Sequence, residues 1–347
     1  TPSFRRSDAF DATGREVRAV REAVGINEVH NFGKYLVKGD GARAWLDRIM
    51  AGRMPKVGRL SLTPMLSPKG KLIGDFTVSC LAEDAFQLTA SYGSQAFHWR
   101  WFKQHEVDGV SIENISDKRN GFQIAGPNAS AVLAACTLSD ISDMKFMDVR
   151  PMTVGMTACL VQRVSYTGDL GFEVYCDPMG QRNLWNTLWA EGQNHGMVPF
   201  GMRAMMSLRL DKFFGSWMSE FSPDYTAAET GLDRFIRFKK NTDFIGRGAA
   251  EAERANGTAR KLVSFEVDAL DADVQGYEPI WLDGVVVGFC TSGGYSHYAG
   301  KSIALGFLPT ERIEDGLAVE IEILGQMRPA RVISEVLFDA DGARMRG

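Results

Sequence analysis

Tyr166-Thr167-Gly168-Asp169-Leu170-Gly171-Phe172-Glu173 is the stretch from which the rest of the chain can be ordered. Thr167-Gly168-Asp169 is a turn signal, and beyond it Glu173 alternates with apolar Phe172 and Val174, the period of a strand with two unlike faces. With the segment that begins at Cys159 it reads as a hairpin over residues 159–175. A second hairpin pattern covers residues 72–91, where Phe76, Val78 and Cys80 alternate with Asp75, Thr77 and Ser79 before a polar turn at 82–85. Helical patterns lie around these hairpins: 41–50, preceded by a strand-like 34–37, then 93–105, and one opened by Gly126-Pro127-Asn128. Further on, Leu184, Trp185, Leu188 and Trp189 form one stripe ending near His195-Gly196, followed by helices expected over 202–213 and 247–256.

After Gly257 the texture changes. Residues 261–267, 279–282, 285–290, 302–307, 318–324 and 330–336 are short strand patterns punctuated by Asp283-Gly284, Gly293-Gly294 and Gly325-Gln326. Strands with turn signals and no helix between them predict a separate β-barrel or sandwich. The expected division is therefore a region 1–256 of two α+β lobes, discontinuous in sequence with the smaller lobe at roughly 55–122, and a barrel domain at 257–347.

Composition narrows the function. The 347 residues carry 39 Lys and Arg against 43 Asp and Glu, a net charge of −4, which argues against a sequence-independent nucleic-acid binder. The five cysteines, Cys80, Cys136, Cys159, Cys176 and Cys290, are odd in number and widely spaced, which fits a reducing compartment and no zinc site. Apolar runs are too short for a membrane span. The chain begins at Thr1 rather than Met, which suggests an excised or processed piece. There is no Walker loop, no HExxH, no nucleophile elbow and no GxGxxG after an early strand. The histidines are scattered, so a metal site is not expected, and His98 among them reads as a surface or satisfied core residue. Fifteen methionines are ordinary core or the lining of a ligand pocket.

Three polar features stand out. Asp75 lies inside a strand pattern, where aspartate is disfavoured; either that face meets water or the carboxylate is aimed into a cleft. Glu173 reads as an outward-facing strand residue or as an acceptor for two parallel N–H donors, such as a guanidinium or a pterin edge. Arg203, Arg209, Lys212, Arg234, Arg237, Lys239 and Lys240 form a basic run that is either a solvated face or an attraction for a polyanionic tail.

Taken together, these stretches resemble the glycine-cleavage aminomethyltransferase (T-protein) superfamily. The 166–173 segment resembles its YTGExGFE signature, and Ser207-Leu208-Arg209-Leu210-Asp211-Lys212 its SLRLE block. Glu229-Thr230-Gly231-Leu232 with Lys240 and Asp243-Phe244-Ile245-Gly246-Arg247 is similar to its EAGL…K…DFIGR segment. Thr291-Ser292-Gly293 and Gly300-Lys301-Ser302-Ile303-Ala304 are similar to its TSG…GKSIA stretch. The order is the family's and nearly the whole chain is covered. Phe32-Gly33-Lys34, the single aspartate after Gly74 and the Lys212 ending look closest to the C-terminal folate module of dimethylglycine and sarcosine dehydrogenases.

The resemblance implies an α+β, three-lobed fold around a central tetrahydrofolate pocket, with the C-terminal barrel as the third lobe. It implies Asp75 as catalytic aspartate and Glu173, Tyr166, Arg203, Met65 and Tyr92 as folate-binding residues, with the basic run favouring the glutamate tail. Where T-proteins have two adjacent aspartates the first is Gly74 here, their DVSHMG becomes Glu28-Val29-His30-Asn31-Phe32-Gly33, and their pocket arginine is Met205, with Arg203 as substitute. These departures argue against a strict T-protein role on a lipoyl carrier. The expected activity is transfer of a one-carbon unit from formaldehyde or a methylated amine to tetrahydrofolate, giving 5,10-methylenetetrahydrofolate. A folate-dependent demethylase and a non-catalytic folate-binding module are the alternatives. FAD is expected only from a flavoprotein domain or subunit, which the Thr1 start suggests once preceded this chain. Neither nucleic acid nor membrane is an expected partner, and the expected location is cytoplasmic, or the mitochondrial matrix in a eukaryote.

Overall fold

A computed structural model describes residues 3–347, so Thr1 and Pro2 lie outside the described residues. Two sheets and a barrel organise the chain. The six-stranded sheet runs, in spatial order, Met197–Pro199, Val24–Glu28, Asn120–Ala125, Gly171–Cys176, Thr157–Gln162 and Val149–Val154. Its first pair is parallel and the others are antiparallel. The five-stranded sheet runs Leu60–Leu66, Leu72–Ala82, Ala85–Ser91, Phe32–Lys38 and Ser111–Asn114, all antiparallel.

Each sheet buries one face under helices. Ile124, Phe172, Val174 and Val161 of the larger sheet pack against Leu133 of the helix Ala129–Ala135 and Leu184 and Leu188 of the helix Gln181–Gly192. Tyr35, Val37, Leu88, Phe76 and Val78 of the smaller sheet pack against Leu46 and Ile49 of Ala42–Ile49 and Phe102 of Gln95–Gln104. Because side chains alternate along a strand, the polar residues between these positions gather on the opposite faces. On the larger sheet this puts Asn27, Gln123, Glu173 and Gln162 in one row across four strands. On the smaller sheet Lys34, Thr89 and Thr77 form a similar row, with Asp75 next on the same face two residues before Thr77. An Arg59–Asp148 ion pair and the bonds from Leu60 N to Met147 O (2.9 Å) and Val149 N to Gly58 O (2.8 Å) tie one edge of the two sheets together.

Strands Arg260–Val267, Lys301–Pro309, Val285–Ser296, Pro279–Leu282, Ala318–Ile323 and Gln326–Ile333 close into a barrel, in that spatial order, around Phe265, Ile280, Ala304 and Ile321. The expected α+β fold with a terminal barrel is therefore the fold observed, although the last strand begins at Gln326 rather than 330. No helix among the described residues is long and apolar enough to cross a membrane.

Candidate functional site

The polar faces of the two sheets meet at Lys34. Its ammonium, on the smaller sheet, lies 5.8 Å from the centre of the Tyr175 ring on the larger one. Tyr175 is fully buried and its hydroxyl donates to Glu173 Oε2 at 2.8 Å, the two side chains being neighbours on one face of the same strand. Glu173 is buried, not the outward-facing residue that alternation allowed. Burial pushes its carboxyl up to about 7, against the pull of the Tyr175 hydroxyl and the Lys34 charge.

Asp75 occupies the middle of the long strand Leu72–Ala82, a rigid platform rather than a loop. It is partly solvent-accessible, yet crowded enough that burial pushes its carboxyl up to about 7. Its own backbone N–H is the bond that opposes this shift, and no side chain among the described residues bonds to it. Tyr166 acts electrostatically on Asp75 from the turn that precedes the Glu173 strand. The Tyr166 ring lies nearly parallel to Phe214 (centres 5.9 Å apart, planes at 20°), and its hydroxyl donates to the Gly215 carbonyl at 2.6 Å. A carboxyl poised near neutrality with no fixed partner can take or give a proton; one anchored by a tyrosine can hold a donor in place.

On the polar faces that carry the two carboxyls several buried polar groups lack partners: both polar atoms of the Gln162 amide and Gln123 Oε1 on the larger sheet, and Gln87 Nε2, Ser79 Oγ and Thr89 Oγ1 on the smaller. Gln123 and Gln162 flank Glu173 directly across the sheet. Such groups are rare in finished cores and concentrate where a ligand or water completes the bonding. Among the described residues no cluster of His, Cys, Asp and Glu has the arrangement of a metal site.

The remaining expected site residues differ in their surroundings. Met65 is fully buried in the core beneath the smaller sheet, paired with Gly74, whereas Asp75 pairs with Pro64 and faces the other way. It is a packing residue and does not line the cleft with Asp75. Tyr92 is half exposed in the turn Tyr92–Ser94, and Arg203 is exposed in the first turn of the helix Met202–Leu210. The basic run also divides. Arg209 is paired with Glu220, Lys212 donates to the Asp339 carbonyl at 2.6 Å, and Lys240 donates to the Met50 carbonyl at 2.7 Å, so these three are spent inside the fold. Arg203, Arg234, Arg237 and Lys239 remain exposed.

Two features were beyond sequence reasoning. Lys34 and Tyr175 look like ordinary members of amphipathic strands, and only the facing of the sheets joins them to Glu173. His98 is nearly fully buried against Phe76, Tyr35 and Trp217, with the Ile73 backbone bonded to its ring. Burial pushes its imidazole down to about 4. The ring also crowds Gly74: a Cβ there would sit 2.5 Å from Phe76 Cε2 and 2.8 Å from His98 Nε2.

Comparison with known proteins agrees with this architecture. A family model described as the GCVT N-terminal domain matches residues 2–240, and one described as the glycine cleavage T-protein C-terminal barrel domain matches residues 260–339. Mitochondrial dimethylglycine dehydrogenase of Homo sapiens is 37% identical over 350 residues, which is 99% of this chain but 40% of that protein. The chain thus spans about two fifths of the length of that relative. An aminomethyltransferase of Geobacillus sp. (strain WCH70) is 31% identical over 95% of this chain and 91% of its own. The crystal structure of glycine cleavage system aminomethyltransferase T from Bartonella henselae superposes with a TM-score of 0.86 over 94% of this chain and 90% of that one; at 21% identity it speaks for the fold.

Proposed function

The chain belongs to the glycine cleavage T-protein family of folate-dependent one-carbon transferases, and from that premise we propose that it places a formaldehyde-level carbon on tetrahydrofolate. The donor in this reading is formaldehyde or the iminium of a methylated amine of the dimethylglycine or sarcosine type, and the product is 5,10-methylenetetrahydrofolate. The observation that carries it is the pair of carboxyls, Asp75 and Glu173, on the facing polar sides of two sheets, both raised to about 7 among unpartnered amides and hydroxyls. A heterocycle with adjacent N–H donors fits that set: Glu173 accepts two of them, and the Gln123 and Gln162 amides beside it offer further donors and acceptors.

Bound tetrahydrofolate would supply N5 and N10, the nitrogens that take up the carbon. The residues of this chain hold and position. Glu173, fixed by Tyr175, grips the pterin edge, and the Tyr166 ring walls the cleft on the Asp75 side. Asp75 accepts a hydrogen bond from the attacking amine and removes its proton as the carbon is bonded, a role that contributes roughly 10²–10⁴-fold; the carbon gives up water when it arrives as formaldehyde, and the free amine when it arrives as the iminium. The exposed Arg203, Arg234, Arg237 and Lys239 attract the anionic glutamate tail. Making an iminium from a methylated amine removes two electrons, and we assign that step to the FAD of a flavoprotein domain or subunit outside this chain. The division into a folate-binding region 1–256 and a barrel domain 257–347 is part of the same proposal, as is a cytoplasmic or mitochondrial-matrix location, which five free cysteines support.

Asp75→Asn tests the chemistry. Folate affinity by calorimetry is expected to stay within about tenfold while turnover falls by two orders of magnitude or more. Unchanged turnover would remove Asp75 from the mechanism. Mass spectrometry of the folate product after incubation with formaldehyde, sarcosine or dimethylglycine reads the reaction type directly. A methyl-folate product would replace this reading with the demethylase.

A further inference from the structure

We propose that Lys34 is a positioning residue for the folate cleft: reaching across from the smaller sheet, its ammonium favours the ionised form of the Glu173 carboxyl, the form that accepts N–H donors from the pterin edge. This rests on the role given to Glu173 above and adds a residue that acts only through it.

Lys34 is 0% exposed, which is unusual for a lysine. Its Nζ donates to the His30 carbonyl at 2.9 Å and the Phe32 carbonyl at 3.0 Å, and no carboxylate among the described residues forms an ion pair with it. Those carbonyls belong to the segment that carries the chain from Val24–Glu28 of one sheet into Phe32–Lys38 of the other, so the ammonium sits at the crossing point. An ammonium solvated only by two carbonyls is poorly compensated. Across the Tyr175 ring stands a carboxyl with the complementary deficit, a buried acid whose charge is opposed by desolvation. Each supports the other's charged form over a short low-dielectric path.

The groups acting on Lys34 are Glu173 and, from the short helix Ser116–Lys118, Asp117; those acting on Glu173 are Tyr175 and Lys34. Burial pushes the Lys34 ammonium down to about 8, so it is still largely charged at pH 7, where Glu173 is about half ionised. Removing the positive charge therefore raises the Glu173 carboxyl further, and ligand binding must then first ionise it.

The test is the pH dependence of tetrahydrofolate binding, by calorimetry under argon between pH 6.5 and 9, for the wild type and Lys34→Met. The variant is expected to bind about tenfold more weakly at pH 7 and to approach wild-type affinity by pH 9, with the loss in KM for tetrahydrofolate larger than that in kcat. A clamp for the crossing loop alone would weaken binding equally at every pH, and that result, or unchanged affinity at pH 7, would overturn the proposal. Lys34→Gln keeps an N–H donor for the His30 and Phe32 carbonyls without the charge; it carries the same expectations should Lys34→Met not fold. Glu173→Gln separates the two ideas. If it binds tetrahydrofolate as the wild type does, the pterin role of Glu173 fails and this inference with it. If it weakens binding while Lys34→Met leaves the pH profile unmoved, only the Lys34 assignment fails.

Discussion

The junction with the barrel and the cleft between the sheets both bury charge, but the junction pairs its charges with opposite ones, even though Arg21 Nε and Arg209 Nε stay unbonded and burial still raises the Asp169 and Asp211 carboxyls. At the junction Arg209 donates to Glu220 at 3.0 Å, to the Phe214 carbonyl at 2.8 Å and to Ser292 Oγ at 2.7 Å. Glu220, fully buried, also accepts from Thr291 at 2.6 Å and from Ser216 N at 2.8 Å. A second knot joins Arg21 to Asp169 and Asp211, both at 2.6 Å, with Ser296 completing Asp211 and the Phe338 ring 3.7 Å from the guanidinium. In the cleft, by contrast, Asp75 has its own backbone, Glu173 one hydroxyl and Lys34 two carbonyls. Buried charge that the fold satisfies by itself is cement; buried charge left short of partners is waiting for a ligand. The same sequence motif feeds both regions: Asp169 goes to the junction and Glu173, four residues later, to the cleft.

The sharpest break of this contrast is Arg209→Leu. It strands Glu220 in a dry site, and loss of one member of a buried pair costs about 3–5 kcal/mol. Urea unfolding of the whole chain measures it, and the companion double variant Arg209→Leu, Glu220→Leu is expected to recover much of the loss. A cost below about 1 kcal/mol would mean that water compensates Glu220 and that the junction is no better satisfied than the cleft.

Stability against pH probes the cleft side. Asp75 and Glu173 have native carboxyls raised to about 7, above their unfolded values near 4. Between those limits the native state holds more protons, so stability on their account is full below pH 4 and is lost as pH rises through 7. Asp75→Asn and Glu173→Gln each remove one such group, and each is expected to flatten the decline by about 1–3 kcal/mol. Chemical unfolding at pH 4.5, 6 and 8 reads the slope, and a variant with the wild-type slope would show that its carboxyl is solvated.

How much of this could be read beforehand follows from the range of the interactions. The barrel is legible because its strands follow one another with glycine turns between them; the largest shifts are at the ends of the last strand and of the long Val285–Ser296 strand, with shifts of one or two residues elsewhere. The larger sheet was not: Val24–Glu28 pairs with Asn120–Ala125 and Met197–Pro199, partners far away in sequence. The helix Ala9–Glu22 also went unread, its buried side holding few large apolar residues beyond Val17 and Val20. Of the proposed site residues, Asp75 and Glu173 stand out in the sequence as charges in strand patterns and as motif positions. Met65 was misread because its face depends on a pairing register, Pro64 opposite Asp75, that no local pattern shows. Lys34 went unseen because a lysine on the polar side of a strand is ordinary until a second sheet covers it.

The smallest expected effect concerns Gly74, where the family has an aspartate. Its backbone needs no glycine, since its φ does not lie in the left-handed region, so the constraint is space alone. Gly74→Ala pushes a methyl against the Phe76 and His98 rings, and overpacking of this kind costs about 1–3 kcal/mol. If the His98 ring is what fills the space at Gly74, trimming that ring must relieve the cost. In a double-mutant cycle with His98→Ala, the two changes are then expected to couple by more than about 0.5 kcal/mol in the compensating direction. Additive effects would leave Phe76 as the obstacle and His98 as a bystander. Compensation would show that the His98 ring, on the core side of the strand that carries Asp75, sets the space available at Gly74.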